Sequence, residues 1–220
     1  MRALVIGSSG GIGAALTTAL EARGTQVTGL SRSGDGFDII DPASVAAHLG
    51  ALDGTFGLIL VATGALAPAG PRPEKALREI DASALAAGFA LNATGPALVL
   101  RHVPRLLARN RRGVFAALSA RVGSIGDNRA GGWYGYRAAK AALNQIVHTA
   151  AIELARSHPR AVCVALHPGT VATPLTRGYR DRHPAVTPQA AAENLLGVLD
   201  GLSPAQTGGF FDWAGARVPW

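Results

Sequence analysis

Short apolar runs alternate along this chain with longer stretches in which apolar residues recur every three or four positions. The runs RALVIG (2–7), TQVTGLSR (25–32), FGLILVAT (56–63), GVFAALSA (113–120), RAVCVALHP (160–168) and GGFFDWAG (208–215) predict strands. The stretches at 11–24, 42–52, 82–110, 133–156 and 188–202 carry the helical period. Pro42 suits a first helical turn. Pro96 and Pro104 fall inside the third stretch, where a proline costs about 3 kcal/mol, so a kink or an early boundary is expected there. Strands that are apolar at nearly every position, each followed by a helix, predict a parallel sheet covered on both faces. No internal repeat or composition break divides the chain, so residues 1–220 read as one α/β domain.

Composition narrows the partners. Apolar residues make up 48% of the chain, enough for a core. No uninterrupted apolar run reaches bilayer-spanning length and no export signal is read, so no membrane partner and a cytoplasmic location are expected. Cys163 is the only cysteine and can form no internal disulfide. The net charge of +7 rests almost wholly on arginine, because Lys75 and Lys140 are the only lysines. The one dense basic run, RNRR at 109–112, closes a helical pattern, where cations suit the helix dipole. A phosphate-bearing cofactor accounts for the charge more economically than nucleic acid, which is not expected as a partner.

Two local patterns carry chemistry. GSSGGIG (7–13) sits between the first strand and the first helix. Gly7 suits a tight turn, Gly11 a close backbone approach to a ligand, and Gly13 close packing of helix on strand. A helix N-terminus there offers N–H groups to a diphosphate. YGYRAAK (134–140) places Lys140 one helical turn beyond Tyr136, on the same face, whereas Tyr134 is off that face. The pair reads either as a phenol tuned by an ammonium for proton transfer, since the cation favours the phenolate, or as two unrelated surface residues.

With LNATG around Asn92 and PGTVATP (168–174) added in order, the chain resembles the short-chain dehydrogenase/reductase family from Ala3 to about Trp213. GSIGDN…GGWYGYRAAKAALN further resembles its carbonyl-reductase and C-factor branch. The resemblance implies a Rossmann-type doubly wound sheet and a hydride transfer between a nicotinamide cofactor and a small carbonyl or alcohol substrate. It implies Tyr136 as acid and base, Lys140 as the group that lowers its pKa and binds ribose, and Asn92 as support for a proton relay. It implies cofactor contacts at Gly7, Ser9, Gly11, Ile12 and Gly13, at Asp38 and Ile39 in a third-strand segment, and at Ala62, Thr63 and Gly64. Pro168, Gly169, Val171 and Thr173 would meet the nicotinamide half. A homodimer or homotetramer is implied as well.

Ser31 and Arg32 end the second strand where an acidic residue would accept ribose hydroxyls. A guanidinium matches phosphate oxygens, so NADP is expected over NAD, with NAD the alternative. No metal site is read, because His102, His148, His158 and His167 lack ligand spacing. The family's serine at the end of the fifth strand is the departure. Ala120 holds its position. Ser119 is the first substitute, then Ser124, with backbone N–H groups, a water or Asn128 as the third option. Arg177, Arg180 and Arg182 in the loop at 174–187 hint at an acidic substrate. The missing serine keeps a second reading open: a cofactor-binding regulatory or signalling protein with little turnover.

Overall fold

The computed structural model describes residues 1–182 and 184–220, the side chains of residues 179–182 apart. All six predicted strands form among these residues: β1 (Arg2–Ile6), β2 (Gln26–Leu30), β3 (Leu58–Val61), β4 (Gly113–Leu118), β5 (Ala161–His167) and β6 (Phe210–Asp212). They make one parallel sheet in the order β2-β1-β3-β4-β5-β6. β2 lies on one side of β1 and β3 on the other, which opens a crevice beyond the carboxyl ends of these strands.

Alternation along each strand explains why the runs are apolar throughout. Leu4, Ile6, Ile59, Val61, Phe115, Ala117 and Cys163 face one core, beneath α3 (Pro42–Gly50), α5 (Gly95–Leu100), α6 (Val103–Leu106) and α7 (Tyr134–Ser157). Ala3, Val5, Leu58, Leu60, Val114, Ala116, Val162 and Val164 face the other, beneath α1 (Gly11–Ala22) and α8 (Pro188–Gly201). Two short helices, α2 (Arg32–Asp35) and α4 (Ala82–Phe89), complete the set. Local chemistry starts the covering helices. Asp41 accepts from the Ala43 N–H ahead of Pro42, and Thr187 accepts from Ala190 ahead of Pro188.

The long pattern at 82–110 breaks as its prolines require. After α4 comes a π turn at Ala90–Thr94, then α5 and α6. Pro96 has no N–H for the Asn92 carbonyl and its ring crowds that group, so the turn widens. The stretch Ala82–Leu100 is long and apolar enough to cross a bilayer by length and mean hydropathy (1.4), a criterion that a search for uninterrupted apolar runs passes over. Here it packs on α7 and the sheet.

Two expectations change. The segment 37–41 is no strand. The Asp38 N–H donates to Ser44 Oγ and the Ile40 N–H to Asp38 Oδ1, which uses donors that a strand would give to β2. β2 is therefore an edge. Within the basic run, Arg112 caps a neighbouring helix rather than its own, as Arg105 does upstream of it. Arg112 donates to the Leu199 and Leu202 carbonyls at the end of α8, and Arg105 to those of Leu49 and Leu52 at the end of α3. Arg111 donates to Thr55 Oγ1.

Candidate active site

The glycine turn is built by close approach. A Cβ on Gly13 would stand 2.0 Å from the Gly7 carbonyl oxygen, so only glycine fits. Gly7 has φ +86°, the left-handed region that glycine tolerates. No side chain caps α1, which leaves the leading N–H groups around Gly11, Ile12 and Gly13 open to a ligand. A Cβ on Gly11 would fall 2.7 Å from Thr173 Cγ2, so the turn and the segment after β5 face one another across a narrow gap. Ser8 and Ser9 lie in the turn between β1 and α1. Beneath Gly7, Thr63 Oγ1 is buried without a hydrogen-bond partner. Glycines that leave backbone exposed, an orphaned hydroxyl and an uncapped helix end fit a dinucleotide diphosphate and its adjoining ribose.

At the end of β2, Ser31 is buried and its Oγ caps α2 by accepting from the Gly34 N–H. The Ser31 N–H donates to Asp35 Oδ2 at 2.9 Å, with the Ser31 hydroxyl 3.4 Å from the same oxygen. An acidic group thus already occupies donors that would read a 2′-phosphate. Arg32 is exposed, and its side chain makes no hydrogen bond or ion pair among the described residues. Asp38 is half-buried in its turn. Ile39 is buried against Gly95, whose Cβ position lies 3.0 Å from Ile39 Cγ1.

Tyr136 and Lys140 lie on the buried face of α7, in its first two turns. Lys140 Nζ donates to the Leu118 carbonyl at 2.7 Å, at the end of β4, and sits 5.8 Å from the centroid of the Tyr136 ring. A Cβ on Gly64 would lie 3.0 Å from Asn92 Oδ1 and 3.5 Å from Lys140 Nζ. Gly64, Asn92 and Lys140 therefore converge beyond β3, next to Ala62 and Thr63. Asn92 is fully buried in the π turn. Its Nδ2 donates to the Ala65 and Gly88 carbonyls and its Oδ1 accepts from the Ala65 N–H.

Electrostatics here differ from the simple couple. Burial pushes the Tyr136 phenol above its ordinary value and pushes Lys140 down to about 7. The result is a phenol held protonated at neutral pH beside a lysine poised to gain or lose its charge.

The exit of β4 settles where the serines point. Ser119 is buried, and its hydroxyl donates to Asn144 Oδ1 at 2.6 Å. The Ser119 proton is committed to α7, which does not support the expectation that Ser119 polarises a substrate carbonyl. Ser124 is also buried, and its Oγ accepts from the Asp127 N–H. Asn128 Oδ1 accepts from the Gly131 N–H. Ala120 is buried and opens the 3-10 turn Arg121–Gly123. That turn lies on α7, since a Cβ on Gly123 would come 2.7 Å from Lys140 Cβ. Sequence reading missed Asn144, although it continues the four-residue spacing of Tyr136 and Lys140. It also missed Arg121, which binds Asp127 at 2.6 Å and approaches Asp212 at 3.6 Å.

Beyond β5, Pro168 leads into Gly169, which has φ +77°. The Cβ position of Gly169 lies 3.0 Å from Trp213 Cδ1. Val171 is buried and bridges Val186, and Thr173 is buried facing Gly11. The loop beyond forms a 3-10 helix at Pro174–Arg182. Arg177 is exposed there, while the side chains of Arg180 and Arg182 lie outside the described residues. His148 bonds the Gly208 carbonyl, and burial pushes His167 down to about 4. Among the described residues no His, Cys, Asp and Glu cluster could hold a metal ion.

A family model described as enoyl-(acyl carrier protein) reductase matches residues 35–200. The chain belongs to the short-chain dehydrogenase/reductase family. It is an NAD(P)-dependent oxidoreductase by that membership. It is 39% identical over 150 residues to the C-signal of Myxococcus xanthus, covering 66% of this chain and 84% of that protein. It is 35% identical over 130 residues to 1-hydroxy-2-glutathionyl-2-methyl-3-butene dehydrogenase of Rhodococcus sp. (strain AD45), covering 59% of this chain and 56% of that one. Its fold matches a crystal structure of a putative short-chain dehydrogenase/reductase from Burkholderia multivorans with bound NADP. The TM-score is 0.80 at 24% identity, over 100% of this chain and 99% of that one.

Proposed function

We propose that this protein is an NADPH-dependent reductase of a small carbonyl compound, also able to oxidise the corresponding alcohol, with Tyr136 as its proton donor and acceptor. The observation that carries the reading is the convergence of Gly64, Asn92 and the buried Tyr136–Lys140 pair beside an open glycine cradle. Bound NADPH supplies the hydride. The carbonyl carbon gains that electron pair and the oxygen gains a proton from the Tyr136 hydroxyl. The phenol's raised pKa keeps that proton in place until the oxygen becomes more basic than the phenolate. A charged Lys140 stabilises the phenolate as it forms, and that adjacent anion in turn offsets the burial that pushes the lysine's pKa down. Asn92 holds the Ala65 segment against the π turn and offers its remaining Oδ1 lone pair to a relay water.

NADP preference is supported by the unengaged Arg32 side chain and by the Ser31 donors, from which a 2′-phosphate would displace Asp35. The bound NADP of the Burkholderia structure points the same way. The catalytic machinery proposed here contains no serine. That absence favours a second reading, a cofactor-binding signalling protein with little turnover, to which the name C-signal of the Myxococcus relative also points. NADPH and NADH oxidation across aldehydes, ketones and quinones separates the two. Turnover with NADPH is expected. NADPH binding without oxidation across the whole panel would favour the signalling reading.

A further inference from the structure

The chain enters α7 through three consecutive residues in the left-handed region: Gly131 (φ +63°), Gly132 (φ +64°) and Trp133 (φ +55°). Trp133 is the only non-glycine residue with positive φ among the described residues, and a β-carbon strains the backbone there. It occupies the N-cap position, yet its side chain caps nothing. Strain of this kind persists only where surrounding contacts over-determine it. Arg137 and Glu74 are among the residues that supply those contacts. Arg137 donates to the Val122, Gly131 and Gly132 carbonyls. Glu74, from the loop after β3, bonds the same entry twice: its backbone carbonyl accepts from the Trp133 N–H, and its side-chain Oε2 accepts from the Gly135 N–H at 3.2 Å. Gly135 is the residue before Tyr136. A Cβ there would meet Glu74 Oε1 at 2.8 Å and Leu85 Cδ2 at 3.2 Å, so the carboxylate lies directly on the first turn.

We propose that Glu74 is a positioning residue for Tyr136, fixing the entry to α7 and setting the acidity of the phenol through its charge. This deepens the acid–base reading of Tyr136 and rests on it. A helix N-terminus carries a partial positive charge that favours a nearby phenolate. The Glu74 carboxylate, bonded in that first turn, offsets this field and favours the neutral phenol. Other charged groups here are Lys140 and Arg137 on α7, Lys75 beside Glu74, and Arg121 at the β4 exit, which Asp127 and Asp212 already pair. α4 presents Leu85, and the π turn presents the uncharged Asn92. The loop carrying Glu74 is itself held: Arg72 grips Glu79 with two nitrogens, and Glu79 accepts from the Lys75 N–H.

The test is the pH profile of alcohol oxidation in full-length wild type, Glu74→Gln and Tyr136→Phe, with hydrogen exchange at the first turn of α7 as a readout independent of turnover. Gln keeps an acceptor for Gly135 and removes the charge. Its acidic limb is expected to move to lower pH by roughly half a unit, with faster exchange in the first turn and KM for NADP unchanged. A limb that coincides with wild type in Glu74→Gln overturns the role of Glu74, whatever the exchange does. If Tyr136→Phe keeps its turnover, the acid–base reading fails and takes this one with it. If Tyr136→Phe is inactive and only the Gln profile is unmoved, Glu74 alone is dismissed.

Discussion

The site has two rims, and they constrain the chain in different ways. At the glycine turn the constraint is steric: Gly13 sits so close to the Gly7 carbonyl that any side chain is excluded. At the exit of β4 the constraint is directional: Ser119, Ala120 and Ser124 are all small and buried, and what matters is which atom each of the two serine hydroxyls addresses. The first rim is specified by residue type. The second is specified by hydrogen bonds to Asn144 and Asp127 that lie far along the chain or within the turn. A family motif can therefore persist at one rim while its serine is lost at the other.

The largest effect expected at the first rim comes from Gly13→Val. A Cβ 2.0 Å from the Gly7 oxygen forces the turn open, and NADPH affinity should fall at least about 100-fold in a fluorescence titration. Normal binding would break the steric account. At the second rim, Lys140→Met should lower turnover by about 100-fold or more. It should also flatten the dependence of stability on pH. In wild type the folded-state pKa of Lys140, about 7, lies below the ordinary lysine value, so the unfolded chain binds more protons between the two. The destabilisation from burying the ammonium is complete below about pH 7 and is relieved as pH rises toward the unfolded value. Thermal melts at pH 6 and pH 9 should therefore differ less in Lys140→Met than in wild type, and equal differences would count against the buried ammonium.

Ala120→Ser sharpens the contrast from the other direction. A restored hydroxyl at the family's position should raise kcat roughly tenfold with KM little changed, since one added donor to a developing oxyanion acts mainly in the transition state. No gain would mean that another donor already fills the role. The smallest change is expected at the end of β2. Asp35→Asn weakens the internal competitor for the Ser31 N–H and should tighten NADPH several-fold, while Arg32→Ala should weaken it about tenfold and leave NADH unaffected. A wild-type preference for NADH of tenfold or more would contradict the phosphate reading.

How much of this was legible along the chain follows from the same distinction. The six strands, the five long helical patterns and the interruption near Pro96 were readable because periodicity and proline act locally. The segment 37–41 was misread as a strand, since its fate turns on Ser44 Oγ taking the Asp38 N–H. The basic run at 109–112 read as the close of its own helical pattern. Arg105 and Arg112 instead satisfy helix carbonyls 53 to 90 residues away in the chain. Tyr136 and Lys140 were visible as a one-turn pair, and Asn144 could have been added by extending the spacing once more. Glu74 left no local signal, because its partner Gly135 is 61 residues distant. The burial that raises the Tyr136 pKa left no signal along the chain, because it is a property of the folded site.

The central step is the transfer of the Tyr136 hydroxyl proton to the oxygen of the carbonyl under reduction. The direct measurement is single-turnover NADPH oxidation with the best substrate of the panel, in wild type and Tyr136→Phe at equal cofactor saturation. The predicted result is a loss of at least about 100-fold in the rate of the chemical step with NADPH affinity retained. A phenylalanine variant that reduces the substrate at the wild-type rate would contradict it.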